Sequence, residues 1–266
     1  MKFEIEKVFG FTMAEVLVTL GLVGVVAAMT LSMLMPRLER IRNAAILKRA
    51  YSDIAKYIDM FSYKYDCYDK LTFCSPAYEF KKDFAKYLVE EQGFVNICPD
   101  KGWPGWIYYL PYGEAKNTSL GQCRKHDLSY GPSYIRSRNG YALYITDFMS
   151  DDYYRIGKDT FRLKISIVTD VNKTTRINNI QWDNANDCIK DYKIIYPQQG
   201  KNMFDVYVMN SKRVLPAGSP LCKGSRDSWT YYCTGDLENG CSKEKQNFTQ
   251  CTQKVIDDGW KILYEY

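Results

Sequence analysis

From Val16 to Met35 the chain runs for twenty residues without a charge, interrupted only by the hydroxyls of Thr19, Thr30 and Ser32. At about 1.5 Å of rise per residue, a helix of that length crosses the hydrocarbon core of a bilayer. Beyond Pro36 the pattern changes from apolar all round to apolar on one side. Leu38, Ile41, Ala44, Leu47, Tyr51, Ile54, Ile58, Phe61 and Tyr65 recur at three- and four-residue steps. That period predicts an amphipathic helix continuing to about residue 65, with Pro36 marking a kink or the exit from lipid.

A second helix is predicted over Phe80–Gln92, with Phe80, Phe84, Tyr87 and Leu88 on one face and Gly93 as its stop. Pro99, Gly102, Pro104, Gly105, Pro111 and Gly113 then make a loop-rich stretch, read as an inserted variable region. Strands follow at Gly140–Phe148, at Phe161–Val171 and at Met203–Asn210, with Arg213–Gly218 closing the run. The alternation of Phe161, Leu163, Ile165 and Ile167 predicts an antiparallel sheet with one solvated face. Val255, Ile256 and Trp260 suggest a short final helix that turns at Gly259. The expected class is α+β, a long N-terminal helix packed on an antiparallel sheet.

Composition changes this picture little. Of 266 residues, 46% are hydrophobic and 25% charged, which suits a folded protein. A formal charge of +5, from 36 basic against 31 acidic residues, is not the footprint of a dedicated nucleic-acid binder. Arg37, Arg40, Arg42, Lys48 and Arg49 form one local basic cluster after the apolar run.

The cysteines say more. All nine (67, 74, 98, 123, 188, 222, 233, 241, 251) follow the apolar segment, none is spaced C-x-x-C, and His126 is the single histidine. Zinc fingers and redox dithiols are therefore poorly supported, and disulfides in an oxidising compartment fit better than buried thiols. The odd number leaves at least one cysteine free or paired between chains. Connectivity stays open; Cys67–Cys74 and pairs within the 222–251 group are the short-range options.

One carboxylate, Glu15, opens the apolar helix. A secretory signal peptide has a shorter apolar core and a small-residue cleavage site, which Met33-Leu34-Met35-Pro36 does not supply. A plain anchor accounts for the length but leaves an acid in the span, at a cost of roughly 2.5–3.5 kcal/mol when central. The run Gly10-Phe11-Thr12-Met13-Ala14-Glu15 resembles the cleavage site of type IV prepilins and type II secretion pseudopilins.

That resemblance implies a leader at 1–10, cut by a membrane prepilin peptidase between Gly10 and Phe11, and N-methylation of the new Phe11 amine. It also implies a filament-core helix at 11–36, its amphipathic half at 37–66, and a disulfide-containing globular domain at 67–266. Glu15 would neutralise the Phe11 amine of a neighbouring subunit and so set register during assembly. The implied partners are the peptidase, other pilin or pseudopilin subunits, and an inner-membrane assembly platform. The implied location is a single-pass inner-membrane protein with its C-terminal domain outside the cytoplasm, later incorporated into a filament.

Two features depart from the family. Glu4 and Glu6 make the leader less basic than usual, and the basic cluster after the span opposes the positive-inside rule. The second half agrees loosely: Asp170-Val171-Asn172, Pro197-Gln198 and Gly200-Lys201-Asn202-Met203-Phe204 approximate segments common in pseudopilins. The length of the globular domain points to a minor subunit.

Some pseudopilins bind calcium near the last strand. The candidate oxygens here are Asp170, Asn172, Asp183, Asn184, Asp187 and Asn202, though Asn202 stands where an aspartate is common, and turn formation is the favoured role. No other cofactor is expected. Catalysis has little to stand on: His126 lies in a polar loop, and neither G-x-S-x-G nor a phosphate-binding loop occurs. The expectation is a non-enzyme.

The alternative is a binding module at a filament tip, for DNA uptake, adhesion or secreted cargo, and then a membrane-anchored enzyme. The aromatic groups Trp103/Trp106/Tyr108/Tyr109/Tyr112, Tyr153/Tyr154 and Tyr231/Tyr232, and the basic-aromatic run Tyr130–Tyr141, are the features that a binding face would use.

Overall fold

The computed structural model describes residues 12–74, 77–96, 134–147, 155–170, 199–222, 235–245 and 247–266. The chain divides into two compact units, one ending at Arg42 and the other running from Asn43 to the last residue. Helix α1, Met13–Lys64, belongs to both and continues through Pro36. In the first unit its side chains are exposed almost throughout.

In the second unit the one-sided pattern acts as expected. Ala44, Leu47, Ile54, Ile58 and Phe61 are buried, joined by Ala50, while Tyr51 is half-buried and Tyr65 exposed. Leu38 and Ile41, which extend the same pattern into the first unit, are exposed. Phe61 sits among Phe80, Phe84 and Tyr87 of α2 (Ala77–Glu90), with ring centroids 5.4–5.5 Å away and near-perpendicular planes. Such edge-to-face pairs contribute about 0.5–1.5 kcal/mol each beyond area burial. Gly93, at φ +69°, ends α2, where the Phe94 N–H donates to the Leu88 carbonyl at 3.1 Å. Cys67 and Cys74, with Cα atoms 5.1 Å apart, are bridged just after α1.

The strands are β1 (Val95–Asn96), β2 (Tyr134–Arg136), β3 (Ala142–Asp147), β4 (Arg155–Ile156), β5 (Asp159–Val168), β6 (Met203–Met209) and β7 (Val214–Pro216). Among the described residues they form one antiparallel sheet in the order β1-β2-β3-β5-β6-β7, with β4 paired to β5. The helix-facing side carries Leu143, Ile145, Leu163, Ile165, Ile167, Phe204, Val206 and Val208, which join α1 and α2 in the main core. The register shifts between Phe161 and Leu163. Phe161 thereby falls into a second cluster with Tyr207, Met209, Leu215, Ala217 and Cys222.

That second cluster corrects the expected solvated face. All seven residues of β6 are buried, as are most of β5, so both sides of the central strands are closed off from water. The polar positions survive there by pairing with one another, as the Asp205 group described below does.

The C-terminal residues close one end of the sheet. Cys241 and Cys251 are bridged, a short helix runs over Cys251–Asp257, and Gly259 turns the chain at φ +70°. Thr252 donates its hydroxyl to the Asp205 carbonyl at 2.8 Å, and the Gln253 N–H donates to the Ala217 carbonyl at 2.9 Å. The Trp260 ring lies 5.7 Å from Tyr51 of α1. Cys222 is also disulfide-bonded.

Polar bonds hold α1 to the sheet at intervals. Asn43 Nδ2 donates to the Lys201 carbonyl at 3.0 Å, and the Tyr51 hydroxyl donates to the Val214 carbonyl at 2.7 Å. Asp53 accepts from the Tyr141 hydroxyl at 2.8 Å and from Asn139 Nδ2 at 3.1 Å. Lys64 pairs with Glu91 beyond the end of α2.

Candidate functional site

The start of α1 is the site that the sequence singles out. Gly10 and Phe11 lie outside the described residues, and Thr12 and Glu15 lie within them. Glu15 Oε2 accepts from the Thr12 N–H at 2.8 Å and from the Thr12 hydroxyl at 2.9 Å. The Glu15 N–H in turn donates to Thr12 Oγ1 at 3.3 Å. This is a reciprocal capping box: a threonine N-cap and a glutamate three residues on satisfy donors that the first helical turn leaves open. This local role of Glu15, signalled by T-x-x-E, stands beside the intermolecular one expected from the sequence. The two roles are compatible, because Oε1 accepts no bond among the described residues.

The following turns suit an apolar surrounding. The hydroxyls of Thr19, Thr30 and Ser32 donate to the carbonyls of Val16, Val26 and Met29 at 3.0, 3.0 and 2.8 Å. All three polar side chains of the run are therefore satisfied by their own helix, which is what a medium without water demands. Leu17, Leu20, Leu22, Val23 and Met29 are about two-thirds exposed. Burying such a side chain is worth about 1.5–3 kcal/mol, so a continuous row of them is driven out of water. The helix is long and apolar enough to cross a membrane, by length and composition.

Of the calcium candidates, Asp170 and Asn202 are described, and both are buried. Asn202 lies beside the end of β5, where the Thr169 N–H and hydroxyl both donate to its carbonyl, at 2.9 and 3.3 Å. Asn172, Asp183, Asn184 and Asp187 lie outside the described residues. Among the described residues no three His, Cys, Asp or Glu side chains gather in a metal-binding group. His126 and the aromatic groups at 103–112, 153–154 and 231–232 also lie outside them.

Sequence reasoning missed Asp205. Its carboxylate is 2% exposed and accepts from Lys164 Nζ at 2.9 Å, Gln199 Nε2 at 3.0 Å and the Ser166 hydroxyl. Polar residues at alternate positions of two neighbouring strands were the available signal. A second polar group joins Tyr141 to Asp53 and Asn139, with Arg49 donating to Asn139 Oδ1 at 2.8 Å. Burial, then the bond to Asp53, pushes the Tyr141 phenol above its ordinary value of 10.0. Both groups tie elements together through internal hydrogen bonds, and in the first the buried Gln199 Oε1 is left without a partner among the described residues. No protein-family model matches the chain, and no curated protein or solved structure does.

Proposed function

We propose that the chain is a pilin-like structural subunit, cleaved after Gly10, N-methylated at Phe11, and assembled through α1 into a type IV pilus or a type II secretion pseudopilus. The observation that carries this reading is the start of α1. A capped Thr12–Glu15 turn lies directly after the Gly10-Phe11 step and opens an apolar helix whose side chains are exposed and whose hydroxyls are internally bonded. The α+β layout, with the second half of the same helix buried against an antiparallel sheet, supports it.

In this reading the apolar half exchanges lipid for neighbouring helices with little change in burial, so extraction from the membrane needs no refolding. Glu15 holds its own helix end through Oε2 and offers Oε1 to the amine of a neighbour. The globular unit lies outside the cytoplasm, where its disulfides persist. No catalytic role and no cofactor are assigned to the subunit.

Mass spectrometry of the mature N-terminus tests the proposal. The expected species begins at Phe11 and carries one methyl group, and Gly10→Val leaves the precursor uncut. A mature chain that retains residues 1–10, or begins elsewhere, refutes it.

A further inference from the structure

The loop closed by the Cys241–Cys251 bridge contains Asn247-Phe248-Thr249, an asparagine two residues before a threonine. The two residues are joined through the asparagine side chain. Asn247 Oδ1 accepts from the Thr249 N–H at 3.2 Å and from the Thr249 hydroxyl at 2.8 Å. The backbone of Asn247 is pinned by a two-way bridge to Ser242, with N–O distances of 3.1 and 2.8 Å. Phe248 is buried, stacked on Tyr264 with centroids 6.3 Å apart. The flanking Asn247 and Thr249 remain partly exposed, and Asn247 Nδ2 donates to no described residue.

We propose that Asn247 is a site of N-linked glycosylation, the sugar being supplied by a polyprenyl-pyrophosphate-linked oligosaccharide. An amide nitrogen is a poor nucleophile because its lone pair is delocalised into the carbonyl. Two donors on Oδ1 stabilise the imidate oxygen that forms as a base of the transferring enzyme removes a proton from Nδ2. The freed nitrogen pair attacks the anomeric carbon, the Nδ2–C1 bond forms, and the C1–O bond to the pyrophosphate breaks. The polyprenyl pyrophosphate leaves with that electron pair, and no oxidation state changes.

This inference rests on the export of the globular unit in the functional reading above, and not on cleavage at Gly10. The test is peptide mass spectrometry of the full chain purified from the cells that make it. The peptide bearing Asn247 is expected to shift upward by the mass of an oligosaccharide. That shift is expected to disappear in Thr249→Ala and to persist in Thr249→Ser, which keeps the hydroxyl. An unshifted Asn247 peptide in the unaltered chain overturns the proposal, whatever the variants do. Sugar confined to the Thr249 hydroxyl, or to the N-x-S/T tripeptides at Asn117 or Asn172, overturns it as well. The same digest reads the N-terminus: sugar on Asn247 with an uncut leader sinks the subunit reading alone, and the converse sinks this one alone.

Discussion

Replacing Asp205 by leucine removes the shared acceptor of a buried polar group and leaves its donors in place. The Asp205 side chain is 2% exposed and that of Lys164 16%, so the ammonium loses the Asp205 carboxylate where water reaches it poorly. Breaking a buried pair from one side costs about 3–5 kcal/mol, and each orphaned neutral donor adds about 1–3 kcal/mol if it finds no new partner. Lys164 keeps some access to water and the Ser166 hydroxyl can rotate, so the expected loss is near the lower end, about 3 kcal/mol. Against a domain stability of about 5–15 kcal/mol, that is a large fraction.

The unit from Asn43 onward carries its own core, so urea unfolding of that fragment with its disulfides intact is the assay. The double variant Lys164→Met/Asp205→Leu removes both charges and is expected to recover most of the loss. If Asp205→Leu costs less than about 1 kcal/mol, or if the double variant is no more stable than the single one, the Lys164–Asp205 pair does not act as the buried ion pair described.

Three further outcomes follow from other features. Tyr141 keeps its proton in the folded state after the unfolded chain has lost its own, so its contribution is full below about pH 10 and is lost as the pH rises further. Tyr141→Phe should therefore flatten the fall in urea midpoint between about pH 9 and about pH 11, and an unchanged slope refutes the assignment. Gly218 has φ +89°, and a Cβ there would lie 2.3 Å from the Gln250 carbonyl oxygen; Gly218→Ala should cost about 1–3 kcal/mol and speed amide exchange at Gln250 and Gln253. Finally, Glu15→Gln can still reach back to the Thr12 N–H but carries no charge, whereas Glu15→Ala loses both. Amide exchange at Thr12 should rise only in the alanine variant, while incorporation into filaments should fail in both; normal incorporation of Glu15→Gln would remove the proposed charge pairing.

Much of the fold was legible because its signals are local. The three- and four-residue steps from Ala44 to Phe61 and the alternation from Phe161 to Ile167 each report a buried face within one element, and these elements form as read. Short strands were not legible: Val95–Asn96, Tyr134–Arg136 and Arg155–Ile156 are too brief to show a period and exist by pairing with longer neighbours. The second buried face failed for a different reason. Lys164 and Ser166 alternate as solvent-facing residues do, and Asp205, about forty positions away, is a partner that helps make their burial tolerable. In the candidate site, Glu15 stood out as a charge in an apolar run, which is a contrast visible in one dimension. Its bond to Thr12 is equally local, spelled by T-x-x-E, but a charge at the edge of an apolar run points first to a distant partner.

The bonds that fasten the 43–64 part of α1 to the rest of its unit set how that unit would bear a mechanical load. They begin at Asn43, pass through Tyr51 and Asp53, and end at Lys64, spread over roughly 30 Å of helix. A force along the axis of the 43–64 segment loads these fastenings in parallel, together with the packed row from Leu47 to Phe61. They must therefore yield in shear as a group, whereas a force perpendicular to the helix could peel them apart in turn. Within its own unit the segment is thus seated as a tenon is in a long mortise, strongest against a pull along its own axis.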